Sequence, residues 1–142
     1  MPDPNDWNAK IIDDFRANGG HVGPPFEGAP LLLVHHRGRK SGTEYVNPVM
    51  YLASEDGTDA MYIFGSKAGA PENPAWYYNL MAAGSTEVEV GTETFPVSVT
   101  EVTGPDRDRI YAEQARRNPG FADYEAKLGG ARTIPVLELR RS

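Results

Sequence analysis

Leu31-Leu-Leu-Val-His-His-Arg37, Gly38-Arg-Lys-Ser-Gly42 and Tyr45-Val-Asn-Pro-Val-Met-Tyr-Leu52 read together as strand, turn and returning strand. Asp56-Gly57 turns the chain again, into a third strand at Ala60-Met-Tyr-Ile-Phe-Gly65. Three short strands with short links make an antiparallel meander, and this decides the fold class. Downstream, residues 86–90 and 94–102 flank a Gly91-Thr92 turn as a hairpin. Its second arm places Phe95, Val97 and Val99 on one face and polar residues on the other, the pattern of a strand with one wet side. Thr133-Ile-Pro-Val-Leu-Glu-Leu139 reads as the last strand. The expectation is about six mostly antiparallel strands in a closed or nearly closed barrel, an arrangement that removes exposed edges.

Helices fit between the strands. Residues 6–18 carry Trp7, Ile11, Ile12 and Phe15 on one stripe, with Gly19-Gly20 as the stop. Asn73-Pro74 opens a second helix, the Asn as cap and the Pro in the first turn, running to about Ala83 and stopping at Gly84. Pro105 opens a third, which ends near Asn118-Pro119, and residues 121–128 read as a short fourth. No βαβ repeat with a Gly-rich fingerprint is present, which argues against a Rossmann domain. The 142 residues suit a single domain spanning 1–142, without internal repeat or linker.

Composition narrows the function classes. Cysteine is absent, which excludes disulfides, thiolate metal sites and a cysteine nucleophile. A net charge of -6 argues against a nucleic-acid partner, which needs a positive field. Met1-Pro-Asp-Pro-Asn-Asp-Trp7 is acidic and has no apolar run, so no signal peptide is expected, and no stretch is long enough to span a bilayer. A cytoplasmic location with at most weak membrane association follows as an expectation. Adjacent strand residues His35 and His36 point to opposite faces, so they cannot chelate one ion together, and no metal is expected. Ser66 lies outside a nucleophile elbow, and Glu87 and Glu89 read as the wet face of a strand.

Two segments suggest chemistry. Arg37, Arg39 and Lys40 put three cations into six residues of an acidic chain, on a glycine-flanked turn that can cradle phosphate. A solvated hairpin turn is the alternative. Gly65-Ser-Lys-Ala-Gly69 feeds the helix that starts near Asn73, whose first-turn N–H groups offer an anion site. Trp76 and Tyr77 could wall a planar ligand there, or Trp76 and Leu80 could simply be core. Tyr124 could donate a proton or be a half-buried core residue with a wet hydroxyl.

Taken in order, Gly38-Arg-Lys-Ser-Gly42, Val46-Asn-Pro48, Gly65-Ser-Lys-Ala-Gly69, Asn73-Pro-Ala-Trp-Tyr-Tyr-Asn-Leu80 and Arg132-Thr-Ile-Pro135 resemble the deazaflavin-dependent nitroreductase family over about three-quarters of the chain. The resemblance implies a split β-barrel, like that of the FMN-binding proteins, and an oxidoreductase that passes hydride from reduced coenzyme F420 to an organic acceptor: a quinone, an enone or a nitro compound. By position it implies Arg39, Lys40 and Ser41 as anchors of phosphate and tail, with Lys67 as a further cation. Asn47, Pro48 and Val49 would line the deazaflavin. Gly65, Ser66, Ala75, Trp76 and Asn79 would form the loop-and-helix edge. Tyr124, and Ser66 on the cofactor side, are the implied catalytic residues. The chain departs from the pattern at Tyr45, where the best-known members carry arginine, and at Met50, Asn118 and Phe121, which are often tyrosine in the family. An FMN-using split-barrel reductase and a non-catalytic F420 carrier are the alternatives, and the assembly expected is a monomer or homodimer.

Overall fold

The computed structural model describes residues 4–20, 31–54, 60–65, 73–129 and 133–141, with side chains from residue 9 onward. In chain order the elements are α1 (Pro4–Ala17), β1 (Leu31–Arg37), β2 (Glu44–Ala53), β3 (Ala60–Phe64), α2 (Ala75–Ala83), β4 (Ser85–Val90), β5 (Glu93–Val102), α3 (Gly104–Arg117), α4 (Gly120–Leu128) and β6 (Val136–Arg141). The six strands close a barrel in the order β1-β2-β3-β6-β5-β4, and every pairing is antiparallel. The expected six-stranded antiparallel barrel is what forms.

The apolar run at the start of β1 is buried on both faces, which is why it reads as continuous rather than alternating. Leu32 and Val34 point into the barrel with Ile63, Val88, Val97, Leu137 and Leu139. Leu31 and Leu33 point outward and are covered by Ile11 and Phe15 of α1. On β5 the alternation of Phe95, Val97 and Val99 is kept, buried against exposed. A third cluster lies outside the barrel, where Ile110, Tyr111, Phe121 and Leu128 of α3 and α4 cover Leu52, Phe64 and Val136. Helix α2 closes one end of the barrel by inserting Trp76 and Leu80 into the interior cluster. No helix among the described residues is long and apolar enough to cross a membrane.

Three local expectations are corrected. Asn73 is not the cap of α2: Pro74 is the N-cap residue and makes no side-chain cap bond, while Asn73 Nδ2 donates to the Tyr78 hydroxyl at 3.2 Å. The last strand starts at Val136 rather than Thr133. Pro135 has no N–H to give a ladder, and the carbonyls before Val136 serve other partners: Ile134 O accepts from the Arg107 guanidinium, and Pro135 O from the Gly65 N–H at 2.9 Å. Glu89 does not face water freely. Arg16 of α1 grips it with two bonds, at 3.1 and 2.7 Å, and His35 adds a third at 2.8 Å. Those contacts hold its carboxyl below the usual range, the Arg16 bond being the main cause.

Candidate functional site

The β1–β2 turn is held by its own backbone. Gly38 N–H donates to Thr43 O and Gly42 N–H to Gly38 O, both at 2.8 Å, and Gly42 takes φ +73°, a left-handed conformation that favours glycine. Ser41 Oγ accepts from the Thr43 N–H at 3.2 Å, and its hydroxyl keeps one O–H donor. The three cations of this region separate into two kinds. Arg37 pairs with Glu44 across the hairpin at 2.5 Å, on an exposed face. Arg39 and Lys40 form no ion pair among the described residues, and the Arg39 guanidinium lies over the Tyr78 ring at 5.0 Å.

Helix α2 faces this turn. It has no acidic residue in its first turn, so the partial positive charge of its N-terminus is not offset locally. It is fixed to the barrel by Trp76 and Leu80 and by the Tyr77 hydroxyl, which donates to Glu101 of β5 at 2.5 Å. Burial, reinforced by that bond, pushes the Tyr77 phenol up to about 12, so it stays protonated at any ordinary pH. Asn79 is buried and faces the turn, where its Oδ1 accepts from the Arg39 backbone N–H at 3.1 Å.

Turn and helix thereby share one cleft of about 590 Å³, lined by Arg39, Lys40 and Ser41 on one side, Pro74, Ala75, Trp76 and Asn79 on the other, and His36, Tyr45 and Asn47 between. That is the size of a small-molecule site. Among the described residues its lining holds two cations and no carboxylate, although the whole chain is acidic. A larger adjoining recess of about 930 Å³ is less suited to an anion, because it includes Glu44 and Glu87 and its Arg37 is already paired.

Of the residues singled out from sequence, Arg39, Lys40, Ser41, Asn47, Ala75, Trp76 and Asn79 come together in the cleft. Pro48 and Val49 continue β2 beyond Asn47, with Val49 packed against the barrel interior. Ser66 and Lys67 lie outside the described residues. Gly65 does not line the cleft, and its lack of a side chain has a packing reason: a Cβ there would meet Pro135 Cγ at 2.7 Å and Pro74 Cδ at 3.4 Å. Tyr124 stands apart, on α4, with its ring edge-on to Phe121 at 5.3 Å in the outer helical layer.

Two further cleft residues had other readings from sequence, His36 only as a rejected metal ligand and Tyr45 only as a departure from the family pattern. His36 is buried, and its ring nitrogens bond Asn47 Oδ1 at 2.5 Å and Asn79 Nδ2 at 2.9 Å. Tyr45 stacks on the His36 ring, centroids 5.4 Å apart, and keeps its other side in solvent. The available signal was register: Gly38 to Thr43 as the loop sets His36 opposite Tyr45, and with it the polar face of both strands.

The F420H(2)-dependent quinone reductase family model matches residues 7–140. An F420H(2)-dependent quinone reductase of Mycobacterium tuberculosis is 34% identical over 131 residues, covering 89% of this chain and 85% of that protein. Among solved structures, an F420-H2 dependent reductase superposes with TM-score 0.66 at 29% identity, over 78% of this chain and 94% of its own. A solved domain-swapped dimer superposes with TM-score 0.68 at 27% identity, over 97% of this chain and the whole of its own.

Proposed function

The chain belongs to the F420H(2)-dependent quinone reductase family, and from that membership we propose that it reduces quinones with reduced F420 held in the cleft between the Arg39 turn and α2. It is an F420H2-dependent reductase with coenzyme F420 as its cofactor. The chemistry that F420 supplies when bound is two-electron hydride donation, while the protein provides orientation and electrostatics. One observation carries the assignment of the site: two cations without a carboxylate partner among the described residues, a serine hydroxyl and a helix N-terminus converge on a single cleft. That donor set fits a phosphorylated molecule, because charge-assisted bonds to phosphate are the strong ones. Trp76 and Tyr45 give the cleft flat walls beside the donors. Enones and nitro compounds are further acceptors of the same hydride chemistry. The likeness to a domain-swapped dimer supports a homodimer over a monomer.

Arg39 and Lys40 anchor the anionic end in this reading. Each charge-assisted bond is worth about 1.5–3 kcal/mol, so Arg39→Ala combined with Lys40→Ala lowers F420 affinity at least tenfold (about 1.4 kcal/mol) in a titration with oxidised F420. Affinity equal to that of the parent protein would move the anchor elsewhere.

Tyr124 is the proposed proton donor to the reduced acceptor, supported by the family resemblance and not by the cleft, from which it is separate. Tyr124→Phe is expected to slow turnover across a panel of quinones and enones while cofactor affinity is kept. Parental turnover in this variant would remove the tyrosine from the reaction.

A further inference from the structure

Hydrogen-bond polarity in the cleft is fixed from one end. The backbone N–H of Arg39 is a donor in any circumstance, and it reaches Asn79 Oδ1 at 3.1 Å. The other end of that amide, Nδ2, is therefore the one facing His36, and it donates to Nδ1 at 2.9 Å. A ring nitrogen that accepts carries no proton, so the neutral imidazole has its proton on Nε2. Nε2 in turn donates to Asn47 Oδ1 at 2.5 Å. With its oxygen so engaged, Asn47 is left with the Nδ2 donors of its amide.

We propose that His36 is the positioning residue of this cleft: as its Nε2–H tautomer it joins the Arg39 turn, α2 and β2 into one directional chain of donors, and it commits Asn47 to offer an amide N–H to the bound molecule. The group selected at Asn47 is a lone-pair acceptor such as a carbonyl oxygen of a planar ring; a donor group there meets a donor. The inference rests on the F420 reading only for the identity of that molecule.

Protonation breaks the chain at a definite place. A proton on Nδ1 sets a donor against Asn79 Nδ2, and turning the Asn79 amide over to relieve this sets Nδ2 against the Arg39 N–H. No rotation satisfies both neighbours, so His36 in its charged form loosens the turn that carries Arg39 and Lys40. The surroundings oppose that form. Burial holds the His36 imidazole below its ordinary value, the Asn47 bond acts in the other direction, and His35 next to it on β1 adds a like charge when protonated. Facing it from β2 is the Tyr45 phenol, from α2 the neutral Asn79, and beyond Asn79 the Arg39 guanidinium. Among the described residues no carboxylate lines the cleft, and in the adjoining recess that His36 also borders, Glu44 is paired with Arg37 and Glu87 is exposed, and neither bonds the ring. Because the folded value is depressed, the stabilisation is complete above pH ~6.5, the ordinary histidine value, and is lost as the pH falls from there through the folded value.

Ring-nitrogen NMR of the 15N-histidine-labelled protein, without cofactor, tests the tautomer directly. At neutral pH the signals of His36 are expected to show protonated Nε2 and bare Nδ1. Protonated Nδ1 at neutral pH overturns the proposal. In Asn79→Asp, a carboxylate replaces the donor facing Nδ1, and the ring is expected to take up a proton there; His36 signals unchanged by that substitution also overturn it. The second arm titrates oxidised F420 from pH 8 downward. Affinity is expected to hold until His36 protonates, then to weaken by up to about tenfold per pH unit, as the competent fraction falls. In His36→Gln, which keeps an amide donor and acceptor but has no proton to gain, that acid limb is expected to vanish. The same limb in both proteins overturns the positioning role. Failure of the parent protein to bind F420 at every pH would instead refute the cofactor reading, and the tautomer measurement would then decide this inference alone.

Discussion

Two arginines of this chain lie on tyrosine rings and do opposite jobs. Arg107 of α3 sits 4.6 Å over Tyr111, and Arg39 of the β1–β2 turn sits 5.0 Å over Tyr78. Arg107 is 7% exposed, and its donors end on the protein: Nε and NH2 reach Ile134 O at 3.1 and 2.9 Å, and the guanidinium also pairs with Asp108 and Glu125. Its tyrosine is equally committed, with the hydroxyl donating to Phe121 O at 2.7 Å. The Arg39 side chain has a 3.5 Å contact to Asn79 Oδ1, and the Tyr78 beneath it is 41% exposed. A cation–ring pair is common in proteins and tells little about role. Saturation of the guanidinium does. Five fixed N–H donors must go somewhere; where the fold uses them the arginine is architecture, and where it leaves them facing a cleft the arginine is available to an anion.

The largest expected effect follows from removing the saturated one. Arg107→Met deletes two bonds from a charged group to Ile134 O, each worth about 1.5–3 kcal/mol, and loosens the α3–α4 layer from the segment before β6. A loss of about 3 kcal/mol or more in chemical denaturation is expected, or about 6–12 °C in Tm at 2–4 °C per kcal/mol. F420 affinity, measured well below the transition, should not move. A tenfold weaker affinity would show that the outer layer and the cleft act as one unit. The complementary variant carries Arg39→Ala and Lys40→Ala. Its affinity drops at least tenfold, while its stability stays within about 1 kcal/mol of the parent, the worth of the one exposed cation–ring contact that is lost. Unfolding in that variant would break the distinction from the other side.

The contrast also marks what the sequence could and could not disclose. Strands β1, β4 and β5 were legible because short apolar runs and strict alternation are local, and glycine turns punctuate them. The clustering of Arg39, Lys40 and Ser41 on one turn was legible for the same reason. Arg107 gave no signal, since nothing within α3 says that Ile134, 27 residues away, will supply an acceptor. The chain from Arg39 through Asn79 and His36 to Asn47 was equally hidden, because it needs a turn, a helix and two strands in one place. The late start of β6 has this origin too: the carbonyls before it were already claimed by Arg107 and Gly65. What the sequence concealed was where polar groups find their partners across elements.

The same outer layer that saturates Arg107 leaves one polar group unserved. Gln114 of α3 is 1% exposed, and its Nε2 has no hydrogen-bond partner among the described residues. An unsatisfied buried donor costs about 1–3 kcal/mol, which a layer built for packing alone has no reason to keep. Methionine is close in volume and length, flexible, and free of donors. If this layer is architecture, Gln114→Met should raise stability by about 1 kcal/mol, or about 2–4 °C in Tm for a chain of this size, with F420 affinity unchanged. The alternative outcome is the sharper one. Lower stability, or a loss of turnover at parental stability, would mean that Gln114 answers to a partner supplied from outside the described residues, and the division between a saturated layer and an open cleft would have to be redrawn at α3.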